Sequence, residues 1–198
     1  GCCPSGVLGA SRGLEPKSGA DAAQVEGRRR WQRGGLGEAL VQAVAQRLVA
    51  FSGARGLRNI GIVYPDGVDG EAGRTAVERA VAANSATLAA TGSYALNIDG
   101  IEAASTSIAE KMKSSGANAI VFTDTPTGGL GFITSALRAD GLTAGSVQFM
   151  GLTRWDASPE SLSQPSLSGG WFALPDPALG QQFRSRFEAK YGVPPHDL

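Results

Sequence analysis

Asn59-Ile60-Gly61-Ile62-Val63-Tyr64-Pro65-Asp66-Gly67 (NIGIVYPDG) decides the architecture. The six residues from Asn59 to Tyr64 have the length of a strand and are apolar at both odd and even positions, the pattern of a strand buried on both faces. Pro65, Asp66 and Gly67 stop the run and turn it into a polar loop. Upstream, Leu40, Val44, Leu48 and Phe51 fall on one helical face, and Gly53 and Gly56 close that helix. Downstream, Gly70-Glu71 opens a second helix with Ala76, Val77, Ala80 and Val81 inward, ending near Asn84.

The same alternation continues along the chain. Thr87 to Tyr94 reads as a strand, and Asp99 and Glu102 have the spacing of a capping box ahead of Ile101, Ala104, Ile108 and Met112. Asn118 to Thr123 (NAIVFT) is a second buried strand, followed by the loop Asp124-Thr125-Pro126-Thr127-Gly128-Gly129 and a helix carrying Leu130, Ile133 and Leu137. Ser146 to Leu152 and Gly169 to Leu174 read as further strands, and Asp176-Pro177 as an N-cap with proline at the first helical position. Leu179, Phe183, Phe187 and Tyr191 stripe the last helix. About five strands separated by helices imply an α/β fold, a doubly wound and mainly parallel sheet. Ligands of such sheets lie outside the carboxyl ends of the strands. That directs attention to residues 65–70, 124–129, 153–157 and 172–177.

The chain has 198 residues with 18 basic and 18 acidic side chains and one histidine. That balance excludes a nucleic-acid arm and a polybasic membrane patch, and no stretch approaches the roughly 20 apolar residues of a membrane span. Residues 1–37 differ from the rest: six basic groups against three acids, nine of the 28 glycines and no apolar period. They are expected to be a disordered or foreign leader, with the folded domain at 38–198. Cys2 and Cys3 are adjacent and have no third cysteine to pair with, so the folded part contains no disulfide.

The carboxyl-end loops hold no complete catalytic motif. Gly129-Leu130-Gly131 has Thr134 where a dinucleotide loop needs its third glycine, and no phosphate loop, zinc-protease helix or serine elbow occurs. His196 follows two prolines near the end, the place of a tail residue rather than a general base. Asp66 and Asp124 each follow a strand, an arrangement that can hold Mg²⁺ in a receiver-like phosphotransfer domain. Such a domain wants a lysine after its last strand, where this chain has Pro175-Asp176-Pro177. The plainer role of both acids is to form turns and cap helices. Thr123, Thr125, Thr127 and Thr153 place hydroxyls along the same edge. Arg154 can grip a carboxylate but has Asp156 two residues away as a local partner. Trp155, Trp171 and Phe172 serve either a ligand cleft or the core. The result is a polar binding rim without a nucleophile and base.

Four ordered segments resemble a known family. Arg47 to Phe51 with Asn59 to Asp66 is similar to the crossover into the second lobe of type 1 periplasmic binding proteins. Gly151 to Asp156 (GLTRWD), Gly169 to Pro177 (GGWFALPDP) and Phe187 to Pro195 (FEAKYGVPP) resemble in particular the penicillin-binding protein activator branch, which is related to Leu/Ile/Val-type solute receptors of ABC transporters. The resemblance covers residues 39–198 and implies one lobe of a two-lobed, non-enzymatic, periplasmic protein, lipid-anchored in its full form. Two partner classes follow from it: a peptidoglycan synthase regulated through protein contacts, or a small solute together with an ABC permease. No cofactor or metal is implied. Amino-acid receptors usually carry an aromatic before glycine in the first loop, where this chain has Asp69-Gly70. The acid they often place after the fourth strand has no counterpart in Thr153-Arg154-Trp155. Those departures favour the activator branch, with the solute receptor as the alternative. The first lobe is missing before residue 39 and a return segment after Leu198, so the sequence reads as a truncated second lobe. Its expected ligand- or partner-binding residues are Asp66, Asp69, Asp124, Thr125, Thr153, Arg154 and Trp155.

Overall fold

A computed structural model describes residues 35–157, 159–174 and 177–193. Cys2, Cys3, nearly all of the leader, Asp176 and His196 lie outside the described residues. The chain divides into two compact units between Glu38 and Ala39, and the second of them carries the sheet.

The elements in chain order are α1 (Gly35–Gly53), β1 (Asn59–Pro65), α2 (Val68–Ala83), β2 (Thr87–Tyr94), α3 (Ile98–Ser114), β3 (Ala119–Phe122), α4 (Leu130–Ala139) and β4 (Gln148–Gly151). A 3₁₀ turn (Trp155–Ala157), a short α5 (Pro159–Leu162) and a second 3₁₀ turn (Pro165–Leu167) lead to β5 (Trp171–Phe172) and α6 (Pro177–Tyr191). All four strand pairings are parallel, and the sheet order is β2-β1-β3-β4-β5. Winding therefore proceeds in both directions from β1, and the strand order reverses between β1 and β3. At such a reversal the carboxyl-end loops part and leave a crevice.

Period-two alternation sorts the strands onto two cores. Ile60, Ile62, Ala119 and Val121 face α1 and α2, where Leu48, Val49, Val77 and Val81 are buried. Val63, Ile120, Phe122 and Phe149 face α3 and α4, against Ile108, Met112, Ile133 and Leu137. Arg138 closes the second layer. Its guanidinium lies 3.7 Å from the Phe149 ring centroid and donates to the Ser166 and Leu142 carbonyls at 3.2 and 2.9 Å. At the far border, Lys111 of α3 donates its ammonium to the Thr91 carbonyl of β2 (2.9 Å).

Three sequence expectations need correction. Of the face expected to be buried in α1, Leu48 goes inward, but Leu40 and Phe51 are 66% and 44% exposed; Ala45 and Val49 join Leu48 in their place. The α3 cap is Asn97, whose side chain accepts from Gly100 N–H at 2.7 Å, rather than Asp99. The helix begins one residue before Asp99, which leaves that acid in the first turn, where it favours the positive end of the dipole without capping it. The last two strands are shorter than the apolar runs. Ser146 is spent on a turn back to Thr143, and Gly169 takes φ of +75° just before β5.

Candidate functional site

The loops at the carboxyl ends of β1, β3 and β4 are joined by hydrogen bonds around one residue that the sequence did not single out, Tyr94. Its backbone carbonyl accepts the Asp66 N–H at 2.8 Å, and its hydroxyl donates to Asp124 Oδ2 at 2.7 Å. Tyr94 ends the longest strand of the sheet, so alternation alone carries its ring inward beside Ile101 and Ile108. No sequence signal pairs it with the acid it meets.

Asp124 is buried, and its carboxyl oxygens have three donors. Oδ2 accepts Gly129 N–H at 2.7 Å as well as the Tyr94 hydroxyl, and Oδ1 accepts Thr125 N–H at 2.7 Å. The group thus ties the loop that feeds α4 to the end of β2, the structural role that a loop aspartate commonly takes. Thr153 adds a fourth tie, donating to the Asp124 backbone carbonyl at 2.8 Å. Asp124, Thr125 and Thr153 are therefore brought together. Both carboxyl oxygens of Asp124 are thus engaged, and no group of three or more potential metal ligands occurs among the described residues.

The side chains of Asp66 and Asp69 stand apart from this cluster, exposed in the β1 loop and the first turn of α2. Arg154 and Asp156 form a bidentate pair, Nε to Oδ1 at 3.0 Å and Nη2 to Oδ2 at 2.8 Å. The guanidinium holds the Asp156 carboxyl group below its ordinary range. Arg154 keeps free donor edges facing solvent, so it can still meet an anion.

Trp155 is in the core, 2% exposed, with its ring 6.0 Å from that of Phe172. Gly151 and Gly170 make the room: a Cβ on either would overlap the indole, and its N–H has no hydrogen-bond partner. Its side chain supports the rim from beneath.

The rim also exposes large apolar side chains that the sequence reading passed over. Val68 and Ile98 begin the helices after β1 and β2, Leu96 lies in the loop before Ile98, Phe132 is in the first turn of α4, and Leu174 follows β5; all are exposed. A Cβ on Gly129 would lie 2.9 Å from Leu96 Cδ1, which places that leucine beside the Asp124 loop. Their signal was positional: each occupies a post-strand site where a solvent loop would carry a polar residue.

The phenol of Tyr94 titrates above the ordinary tyrosine range, first because burial disfavours the phenolate and then because it donates to Asp124. In the unfolded chain it ionises near pH 10. The native state keeps the proton that the unfolded state loses, so this contribution to stability is complete below about pH 10 and declines as pH rises further. Tyr94→Phe is expected to flatten the alkaline limb of stability against pH in urea titrations; an unchanged limb counts against the assignment.

Comparison with known proteins adds the family. Residues 33–198 match the family model described as periplasmic binding protein. A leucine complex of an ABC transporter substrate-binding protein from Desulfitobacterium hafniense aligns at 22% identity and a TM-score of 0.52, over 78% of this chain and 44% of that one. A periplasmic binding protein from Burkholderia mallei aligns at 18% identity and 0.55, over 78% and 41%. A branched-chain amino acid ABC transporter periplasmic ligand-binding protein from Burkholderia xenovorans aligns at 20% and 0.55, also over 78% and 41%. The chain spans less than half the length of each of these structures. No functionally curated protein matches it. The structural likeness establishes the fold of one lobe, and the match over most of the sequence establishes membership: this chain belongs to the periplasmic binding protein family, which is non-enzymatic.

Proposed function

We propose that the chain is one lobe of an extracytoplasmic solute receptor serving an ABC transporter, and that its carboxyl-end rim closes over the solute against an opposing lobe. The observation that carries this reading is the rim itself. Val68, Leu96, Ile98, Phe132 and Leu174 are bare apolar groups, and they share the edge with the Thr125 and Thr153 hydroxyls and the open side of Arg154. Apolar surface with a few convergent polar groups is the composition of a ligand cleft that a second wall completes. Asp66, Asp69, Thr125, Thr153 and Arg154 are the proposed contacts, with Asp124 and Trp155 holding the loops that present them.

The activator reading from sequence gives way to the solute receptor because the aligned structures are solute receptors, one of them a leucine complex. Branched-chain amino acids are accordingly the first solutes to test. One lobe supplies half the contacts and no enclosure, so affinity depends on joining the two. A polypeptide that combines this chain with a first lobe is expected to gain several degrees in thermal midpoint with leucine, isoleucine or valine, whereas the isolated chain gains none. No shift with any of the three, together with saturable binding to a peptidoglycan synthase, would reinstate the activator.

A further inference from the structure

Helix α1 is apolar on two sides. Its inner side is buried against the sheet, yet its outer side presents Leu40, Ala43, Ala50 and Phe51, all exposed and spaced by three, seven and one. A surface helix ordinarily keeps that side polar. Beside it runs an open groove of about 670 Å³, whose other wall is β5 with Ala173 and Leu174. β5 is a border strand of the sheet. Phe51 and Trp171 meet edge to face across the groove, ring centroids 5.2 Å apart.

Among the described residues, the charged side chains that line or overlie this groove are Arg47 and Arg55. Arg47 lines it. Arg55 lies flat over Phe51, 3.4 Å from the ring centroid and 5.6 Å from that of Trp171. Arg74 and Arg154 are held by carboxylates, whereas neither Arg47 nor Arg55 has a carboxylate partner among the described residues. A small amphiphile in so open a groove would stay largely wet, whereas a helix laid along it covers the groove and the α1 stripe together. A second copy of this chain would set arginine against arginine, a costly juxtaposition.

We infer that this flank is a docking groove for an acidic amphipathic helix of a partner protein. The partner's apolar stripe packs on Phe51, Trp171 and Leu174, and its carboxylates meet Arg47 and Arg55. The surface lies on the α1 flank and meets the solute rim only at Leu174.

The test uses the 198-residue chain and two labelled synthetic helices of about 18 residues that share one leucine stripe, flanked in one by glutamate and in the other by lysine. Fluorescence anisotropy is expected to show the glutamate helix binding at least about tenfold more tightly, with the preference weakening as salt is raised. Arg47→Glu/Arg55→Glu changes two exposed positions, so the fold should persist by circular dichroism while the preference reverses. Phe51→Ser should weaken both peptides. Equal affinity for the two helices, no saturable binding of either, or an unchanged preference in the double variant overturns the proposal. So does a wild-type dimer in light scattering that Phe51→Ser dissociates.

Discussion

Trp155→Ala is expected to lower the unfolding free energy by about 4 kcal/mol, the largest loss from any single truncation at the rim. The indole is 2% exposed and fills space that Gly151 and Gly170 leave open on two sides, so its removal creates a cavity that the short segments around it cannot collapse to fill. Trp155→Phe should cost no more than about half as much, because the indole N–H has no partner to lose and an aromatic ring still packs on Phe172. Urea denaturation of the three proteins measures both values. A loss below about 1 kcal/mol for Trp155→Ala would mean that the residue faces the cleft, as its place after β4 first suggested. In a two-lobed protein, Trp155→Phe should retain solute binding for the same reason.

Asp124→Ala is the second large effect, about 3 kcal/mol or more, because it leaves the buried Tyr94 hydroxyl and Gly129 N–H, and the half-buried Thr125 N–H, without an acceptor. Asp124→Asn is expected to fall between wild type and alanine: one face of the amide accepts, but its NH₂ confronts an N–H donor. Combining Asp124→Ala with Tyr94→Phe should cost about 1 kcal/mol or more less than the sum of the single changes, since the pair shares one hydrogen bond. Strict additivity in that cycle would show that Tyr94 and Asp124 do not act together.

Much of the fold was legible because the strands are buried on both faces. NIGIVY and NAIVFT have no polar interruption, and the Pro, Asp and Gly residues after them mark where the chain turns. Helix α1 misled for a physical reason: apolar groups on both sides make its buried face undecidable from spacing, and tertiary packing chose Ala45, Leu48 and Val49 over Leu40 and Phe51. At the rim, the turn-forming role of Asp124 and the Arg154–Asp156 pair were readable as local chemistry. Tyr94 was not, because its partner is 30 residues away and nothing in either segment announces the other. The inward direction of Trp155 depended on two glycines, one of them fifteen residues downstream.

The position of β1 between β2 and β3 has a consequence for biosynthesis. As the polypeptide emerges from the ribosome, β1 meets β2 first, and its other border stays bare until Ala119–Phe122 has been made. The stretch from Tyr94 to Ala119 takes on the order of one to five seconds to translate at roughly 5–20 residues per second. During that interval an uncharged hydrophobic ribbon is open to any nascent neighbour. A pause after β2 has left the ribosome and before β3 has should therefore lower the soluble yield more than an equal pause once β3 has emerged.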